Sequence, residues 1–181
     1  MKSKLNLGCG TDIQDDYVNL DVADLSGVDV VHDLNVLPLP FDDEIFTEVL
    51  CMDVFEHVDY IPLLKECHRI LQPGGCLIVE VPHFSSNNNF VDPTHRNRFS
   101  VKTFNFFAEN TWERIQRPYY FDFSFSEVTG KKLVFIRSKT MPWNWVIQWV
   151  VNLSSKLQQY YEATGLTYLF PAQNLRILLK K

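Results

Sequence analysis

The stretch LNLGCG, at Leu5–Gly10, decides the fold of this 181-residue chain. It begins as a short apolar strand and ends in two glycines that are one residue apart. Because glycine lacks a Cβ atom, a glycine loop that directly follows a strand lets a ligand touch the backbone. The stretch therefore predicts a ligand-binding loop at the end of a buried first strand.

Working outward, five short apolar runs predict five strands: KLNLG (4–8), YVNLDV (17–22), VDVVHDL (28–34), TEVLCMD (47–53) and GCLIVEVP (75–82). Val, Ile and Leu crowd them with little alternation, which indicates a parallel sheet covered on both faces. The apolar spacing predicts a helix from Ile61 to Leu71, ended by the turn Pro73-Gly74-Gly75. Only six residues separate Gly10 from Tyr17, so at most one short helical turn fits there.

Asp21 ends the second strand, and a carboxylate at that position can accept hydrogen bonds from ribose hydroxyls. A dinucleotide site would need a third glycine, a helix N-terminus for the pyrophosphate, and a longer gap to the acid of about 20 residues. Asp15 and Asp16 would also repel a phosphate. The pattern favours a nucleoside that carries positive charge and no phosphate.

As a set, residues 4–82 resemble the class I S-adenosylmethionine-dependent methyltransferases. LNLGCG resembles the glycine loop of that family, and LDV its ribose-binding acid. HDL resembles the segment that flanks the adenine, and PFDDEIFTEVLCMDVFEHV the fourth-strand region. The resemblance implies an α/β, Rossmann-like fold with a mostly parallel seven-stranded sheet, helices on both faces and an antiparallel C-terminal strand.

The same resemblance implies S-adenosyl-L-methionine as the cofactor. The residues that it places in contact with this cofactor are Gly8, Gly10, Asp21, Asp33, Leu34 and Asp53. The family often has an acid two residues before the first glycine, where this chain has Asn6. A hydrogen bond from the cofactor's ammonium group to this position is therefore expected to be weak or mediated by water.

The chain is expected to be a single domain, residues 1–181, since domains average roughly 150 residues. Its two parts differ in composition: residues 1–90 have a net charge of −12 and residues 91–181 one of +7. The second part also holds 18 of the 25 aromatic residues. We expect residues 1–82 to bind the cofactor and residues 83–181 to cover the site and bind an acceptor that is anionic.

Beyond residue 82, the polar and aromatic segment 83–118 predicts a loop over the site, with a helix from Val101 to Glu109. The alternating residues 121–137 predict a hairpin that turns at Thr129-Gly130, and NLRILLK predicts a last strand. Between them lies an insert, residues 142–170. The overall net charge of −5 argues against a nucleic-acid partner.

Candidates for a catalytic base lie just beyond the fifth strand, where open parallel sheets bind ligands. In DPTHRNR, at 92–98, His95 is the first choice, with Asp92 orienting it. His83 is a second candidate. The alternative for Asp92 and His95 is a purely local role in a turn that begins at Pro93. Arg96 and Arg98 are candidates for pairing with an anionic acceptor, or for a solvated surface.

Asp53, Glu56 and His57 form the pattern DxxEH, whose members would share one face of a helical turn, as metal ligands must. Some metal-dependent members of the resembled family have a similar pattern, and His83 would then have to complete the ligand set. Many members without a metal carry Glu-His here as well. We therefore predict that no metal binds.

In the insert, Asn144, Gln148 and Asn152 recur every four residues and leave a narrow polar stripe on an otherwise apolar helix, within 142–161. Such a helix has to bury most of its surface. The first expectation is burial against the sheet or the covering segment, the second a homodimer partner, and the third a peripheral contact with an anionic membrane. Every apolar run is too short to span a bilayer.

Taken together, the sequence predicts a cytoplasmic enzyme, because the N-terminus lacks a secretory signal. It would transfer a methyl group from the cofactor to an oxygen, or less readily a nitrogen, of a small or lipid- or glycan-linked acceptor. The alternative is a binding module that keeps the cofactor pocket, has no catalytic activity and regulates a partner protein through its aromatic second half.

Overall fold

The computed structural model describes residues 2–181, which form one seven-stranded sheet in the order β3-β2-β1-β4-β5-β7-β6. Its strands are β1 Lys4–Leu7, β2 Val18–Asp21, β3 Val30–Val31, β4 Phe46–Met52, β5 Leu71–Pro82, β6 Glu127–Val134 and β7 Asn174–Lys180. Strands β1 to β5 pair in parallel, and β7 pairs antiparallel with both β5 and β6. The five predicted strands and the antiparallel C-terminal strand are confirmed.

The helices are α1 Tyr60–Ile70, α2 Asn88–Val91, α3 Trp112–Gln116, α4 Trp143–Val151, α5 Ser155–Ala163 and α6 Leu166–Leu169, with a 3₁₀ helix at Thr103–Phe107. Helix α1 buries Leu63, Leu64, Cys67 and Ile70 against the sheet and passes directly into β5. This agrees within one residue with the helix that the spacing predicts. The expected helix at 101–109 is shorter than predicted and has 3₁₀ geometry.

The link between β1 and β2 contains no helix, as its length predicts. Side-chain amides hold it in place of a helix: the Asn19 side chain accepts from the Gln14 backbone N–H at 3.0 Å and donates to the Gln14 carbonyl at 3.0 Å. Asn6 is buried and donates to the carbonyl of Asp12 at 2.8 Å and to Asn19. The side chain of Asn6 therefore braces this link.

The hairpin predicted at Thr129-Gly130 is wrong. Residues 127–134 form the single strand β6, which pairs with β7 along both of its halves. The pairing register shifts between Thr129 and Lys132, and Gly130 has a φ of +61°. A glycine with positive φ is typical of a β-bulge, which disturbs the alternation of a strand without reversing the chain.

The insert is oriented opposite to the first expectation. Its polar stripe, not its apolar face, packs against the free edge of β6. Gln148 accepts from the backbone N–H of Phe135 at 3.0 Å, and Asn152 accepts from the N–H of Leu133 at 2.8 Å and donates to its carbonyl at 2.8 Å. These amides satisfy an edge strand that would otherwise expose unpaired backbone groups.

As a consequence, the apolar side of α4 faces outward, with Trp145 55% and Trp149 66% exposed. The predicted continuous helix is also interrupted, because α5 begins after Ser154, whose side chain accepts from the N–H of Leu157. Among residues 2–181, no helix has both the length and the apolar character that a membrane crossing requires.

Candidate functional site

A cleft of about 280 Å³ lies at the carboxyl ends of β1, β2 and β4. Ten residues line it: Gly8, Asp21, Val22, Asp33, Leu34, Asn35, Asp53, Val54, His57 and Val58. Five of the six residues predicted to contact the cofactor are among them, and Gly10 adjoins the cleft through its bond to Asp21. The carboxyl edge of an open parallel sheet is the expected place for a ligand.

The two glycines have different physical reasons to be glycine. Both have positive φ, +64° at Gly8 and +50° at Gly10, a conformation that other residues adopt at a cost. A Cβ on Gly8 would lie 2.5 Å from Cγ2 of Val54, whereas one on Gly10 would meet nothing within 4 Å. The space in front of Gly10 is therefore open to a ligand.

Asp21 holds the glycine loop. Its Oδ2 accepts from the Gly10 N–H at 2.8 Å, and its Oδ1 accepts from the Ala23 N–H at 2.9 Å. Each carboxylate oxygen has a second lone pair, so Asp21 can still accept from two neighbouring hydroxyls. Neither Lys nor Arg is among the residues that line the cleft, and three carboxylates are. These carboxylates, which only accept hydrogen bonds, fit a ribose and a cationic group better than a phosphate.

A second cavity, of about 310 Å³, adjoins this cleft and shares Asp53 and His57 with it. Its other lining residues are Glu56, Pro82, Asn88, Val91, Asp92, His95, Gln173 and Asn174. Burial and the nearby Glu80 raise the pKa of Asp53. A ligand in the cleft and a ligand in this cavity would therefore meet at Asp53 and His57.

His57 is held by a chain of two hydrogen bonds. Its Nδ1 lies 2.7 Å from Oγ1 of Thr94, and that hydroxyl lies 2.6 Å from Oδ1 of Asp92. Because a carboxylate only accepts, Thr94 donates to Asp92 and must accept from the Nδ1–H of His57. This leaves Nε2 of His57 with a free lone pair. Burial and the neighbouring His95 lower the pKa of His57, so the ring is neutral near pH 7.

His95 and Asp92 both line the second cavity, as the sequence predicts, but their contact is long. Nε2 of His95 lies 3.8 Å from Oδ2 of Asp92, beyond hydrogen-bonding distance. Asp92 is bonded instead to Thr94, whose backbone N–H and hydroxyl lower the pKa of the Asp92 carboxyl. His95 packs edge-on against His57 with ring centroids 4.6 Å apart, and its buried Nδ1 has no partner.

The structure does not bring His83 to this site. The ring is fully buried and lines neither cavity, and both of its nitrogens are engaged. Nε2 lies 2.9 Å from Oε1 of Glu162 in α5, and Nδ1 lies 2.7 Å from Oγ of Ser85. His83 thus joins the end of β5 to α5, which is a structural contact.

Glu56 is 1% exposed, and neither of its carboxylate oxygens has a hydrogen-bond partner. Burial, with a smaller contribution from Asp53, raises its pKa to about 8. The DxxEH residues do not share a helical turn, because Asp53 has a φ of +52° at the end of β4. Instead, Glu56, His57 and His95 are the described residues that could hold a cation. Their possible ligand atoms lie within 4.8 Å of one another. The prediction that no metal binds stays a prediction.

Sequence reasoning missed the pairing of His57 with Thr94. The pattern DxxEH drew attention to His57 as a metal ligand, and DPTHRNR drew attention to His95 as a base. The available signal was that both segments follow the carboxyl ends of adjacent parallel strands, β4 and β5, and so had to meet. Arg96 and Arg98 lie in the second segment but do not line either cavity.

The sequence model of the methyltransferase-domain family matches residues 5–79. An uncharacterized protein of Methanocaldococcus jannaschii is 53% identical over 47 residues, 26% of this chain and 21% of that protein. A demethylmenaquinone methyltransferase of Staphylococcus epidermidis is 40% identical over 57 residues, 31% of this chain and 23% of that protein. This chain therefore matches less than a quarter of the length of these curated relatives.

Solved structures resemble the whole chain. A SAM-dependent methyltransferase from Archaeoglobus fulgidus superposes with a TM-score of 0.56 and 18% identity, over 98% of this chain and 85% of that one. An S-adenosylmethionine-dependent methyltransferase from Mesorhizobium loti does so with a TM-score of 0.53 and 14% identity, over 98% and 90%. At these identities, the likeness shows the fold.

Proposed function

We propose that this protein methylates an acceptor held in the second cavity, because the model of the methyltransferase-domain family matches residues 5–79 and solved S-adenosylmethionine-dependent methyltransferases share the fold of the chain. The cofactor that this family and fold imply is S-adenosylmethionine. The observation that carries the proposal is the border at Asp53 and His57, where the cofactor cleft meets a polar cavity that contains a histidine with a free lone pair.

In this proposal the residues of the cleft bind and orient the cofactor. Asp21 accepts from the ribose hydroxyls while it holds Gly10, and Leu34 provides an apolar surface beside Asp33 for the adenine. Asp53 lines both cavities, so its carboxylate would favour a cationic group of the cofactor at their border. When bound, the cofactor supplies an electrophilic methyl group. The protein contributes mainly by holding acceptor and cofactor at attack distance, which is worth several kcal/mol in comparable reactions.

We infer that the accepting atom is an oxygen. A hydroxyl has to lose a proton during transfer, and Nε2 of His57 is free to take it while Thr94 and Asp92 stabilise the ring. His95, the base predicted from the sequence, is the second candidate in the same cavity. His83 is left out because both of its nitrogens are bonded elsewhere. The acceptor class, small or lipid- or glycan-linked, stays a proposal from the sequence. The basic composition of residues 91–181 favours an anionic acceptor, but the lining of the second cavity includes three carboxylates and no Lys or Arg, so an anionic group of the acceptor would have to lie outside this cavity.

Asp21→Ala is expected to weaken cofactor binding by about 1 to 3 kcal/mol, since it strands the Gly10 N–H and removes the acceptor for the ribose hydroxyls. Calorimetric titration with S-adenosylhomocysteine measures this change. Asp24→Ala is the matched control, because Asp24 carries the same charge, is exposed and does not line the cleft. An unchanged affinity in Asp21→Ala would contradict the proposed ribose contact.

Turnover tests the proposed function itself. Purified protein with methyl-labelled cofactor and a panel of small and lipid-linked acceptors that carry hydroxyl groups, amino groups or both is expected to yield a labelled product with an O-methyl group. The alternative is the regulatory module without activity, which the family match and the fold do not favour. Tight cofactor binding without product across the whole panel would revive that alternative, and an N-methyl product would overturn the choice of oxygen.

A further inference from the structure

The outward side of α4 carries an apolar surface that no part of residues 2–181 covers. This tryptophan face consists of Trp143, Trp145, Val146, Trp149, Val150 and Leu153, all of which are exposed. Exposed Leu157 and Tyr160 of α5 and Leu169 of α6 belong to the same insert. A contiguous exposed apolar surface of this kind is typical of an interaction site.

The charges of this region have one sign. Between residues 128 and 161 the sequence has no Asp or Glu and five basic residues: Lys131, Lys132, Arg137, Lys139 and Lys156. Of these, all but Lys131 are exposed. The Arg137 guanidinium lies 4.4 Å from the ring centroid of Trp145, and Arg137, Lys139 and Trp145 together line a shallow surface pocket. Aromatic and cationic groups therefore occupy the same surface.

A third cavity, of about 530 Å³, opens beside the tryptophan face. Its lining includes the exposed side chains of Phe90, Met141, Trp143 and Leu169, and also Gln173, which lines the second cavity as well. The lining is mainly apolar near the surface. A mainly apolar cavity therefore lies beside the tryptophan face and shares Gln173 with the second cavity.

We propose that the tryptophan face binds the surface of an anionic lipid bilayer. Trp side chains favour the polar–apolar boundary of a membrane, and basic side chains beside them attract anionic headgroups. A second copy of this chain is a poorer occupant, because a symmetric contact would bring two acid-free, cationic faces together. The inference goes beyond the proposed methyl transfer and does not depend on it.

Co-sedimentation of the 181-residue protein with vesicles tests this inference. We expect binding to phosphatidylcholine vesicles that contain phosphatidylglycerol, weaker binding to phosphatidylcholine alone, and loss of affinity with rising salt. The double variant Trp145→Ser/Trp149→Ser and the double variant Arg137→Glu/Lys139→Glu should each bind anionic vesicles at least about tenfold more weakly. The matched control is Trp112→Ser on α3, because Trp112 is 64% exposed but lies outside the face.

Affinity for S-adenosylhomocysteine, retained in all three variants, would show that they are folded. Absence of binding by the unmodified protein, or equal binding by the double tryptophan variant and the control, would overturn the inference. Analytical ultracentrifugation tests whether a second copy covers the face instead. If the protein does not bind anionic vesicles but forms a dimer that the tryptophan substitutions abolish, the face would be assigned to a second copy. Methyl transfer to soluble acceptors should be unaffected, so failure here is distinguishable from failure of the proposed function.

Discussion

His57→Gln is expected to lower kcat by about 100- to 10,000-fold, the usual contribution of a general base. The substitution keeps a polar side chain of similar reach but removes the basic Nε2 of a residue that lines both cavities. Binding of S-adenosylhomocysteine should stay close to that of the unmodified protein, since Asp21 and the glycine loop are untouched. Single-turnover rates with labelled cofactor and a saturating acceptor measure the effect on chemistry alone.

The pH profile gives a second readout of the same residue. A base acts in its neutral form, and burial lowers the pKa of His57 below its ordinary value of 6.5. The rate should therefore rise with pH, with its midpoint below pH 6.5, and level off above that midpoint. Thr94→Val breaks the link to Asp92 and should move this midpoint, whereas Thr94→Ser should restore it, because Thr94 acts by positioning His57.

His95→Ala is the control that separates the two histidines. It leaves the chain His57–Thr94–Asp92 in place, so its effect on the single-turnover rate should be much smaller than that of His57→Gln. The opposite order of effects would return the role of base to His95, which the sequence favoured. If His57→Gln and His95→Ala both had the single-turnover rate of the unmodified protein, neither histidine would take the proton.

The parallel half of the fold was predictable because its signals are local. Each strand is a short apolar run, and the segments between the strands contain Gly, Pro or Asp residues that are typical of turns. Helix α1 has the regular apolar spacing that predicts it, but it ends at Ile70, and Pro73-Gly74-Gly75 lies within β5, so the predicted turn does not mark the end of the helix. The absence of a crossover helix between β1 and β2 was predictable from the length of that link alone. The hydrogen bonds of Asn19 that replace the helix were not predictable.

The errors in the second half have physical causes. An alternating pattern interrupted by Thr129-Gly130 fits a hairpin and a bulged strand equally well, and only the pairing with β7 decides between them. In α4, the expectation assumed that a helix buries its apolar side. A free strand edge has unpaired N–H and carbonyl groups. Gln148 and Asn152 can form hydrogen bonds with these groups when they face β6, whereas the apolar side chains of α4 cannot.

The sequence predicted most of the residues that line the cleft, but not how the second cavity is assembled. The cleft residues follow consecutive strands, and the sheet gathers them at one edge. The acceptor cavity depends on how the segment after β5 folds back over β4, which brings Thr94 to His57 across 37 positions of sequence. No local pattern encodes a contact of that separation.

Glu56→Gln is expected to stabilise the protein without ligands by about 3 to 5 kcal/mol at pH 9, because it removes a buried carboxylate that has no partner. The pKa of Glu56 is about 8 in the folded protein and near 4.5 when exposed. The folded state therefore binds more protons than the unfolded state between these values. The contribution of Glu56 to the stability of the unmodified protein is full below pH 4.5, falls as the pH rises, and is lost above pH 8.

Urea denaturation at several pH values, in the presence of EDTA, measures the difference. The two proteins should unfold at similar urea concentrations near pH 4.5, and the variant should become progressively more resistant up to pH 9. The matched control is Glu44→Gln, which makes the same chemical change at an exposed carboxylate. A difference that does not vary with pH would show that Glu56 remains ionised in the folded protein.

The same experiment decides between a proton and a cation as the partner of Glu56. If the carboxylate is neutralised by a proton, omission of EDTA and addition of a divalent cation should leave the stability of both proteins unchanged. A bound cation would hold the carboxylate ionised, together with His57 and His95, whose donor atoms lie within 4.8 Å of it. The unmodified protein would then gain stability from the cation and the variant would not, which would contradict the prediction of a site without metal.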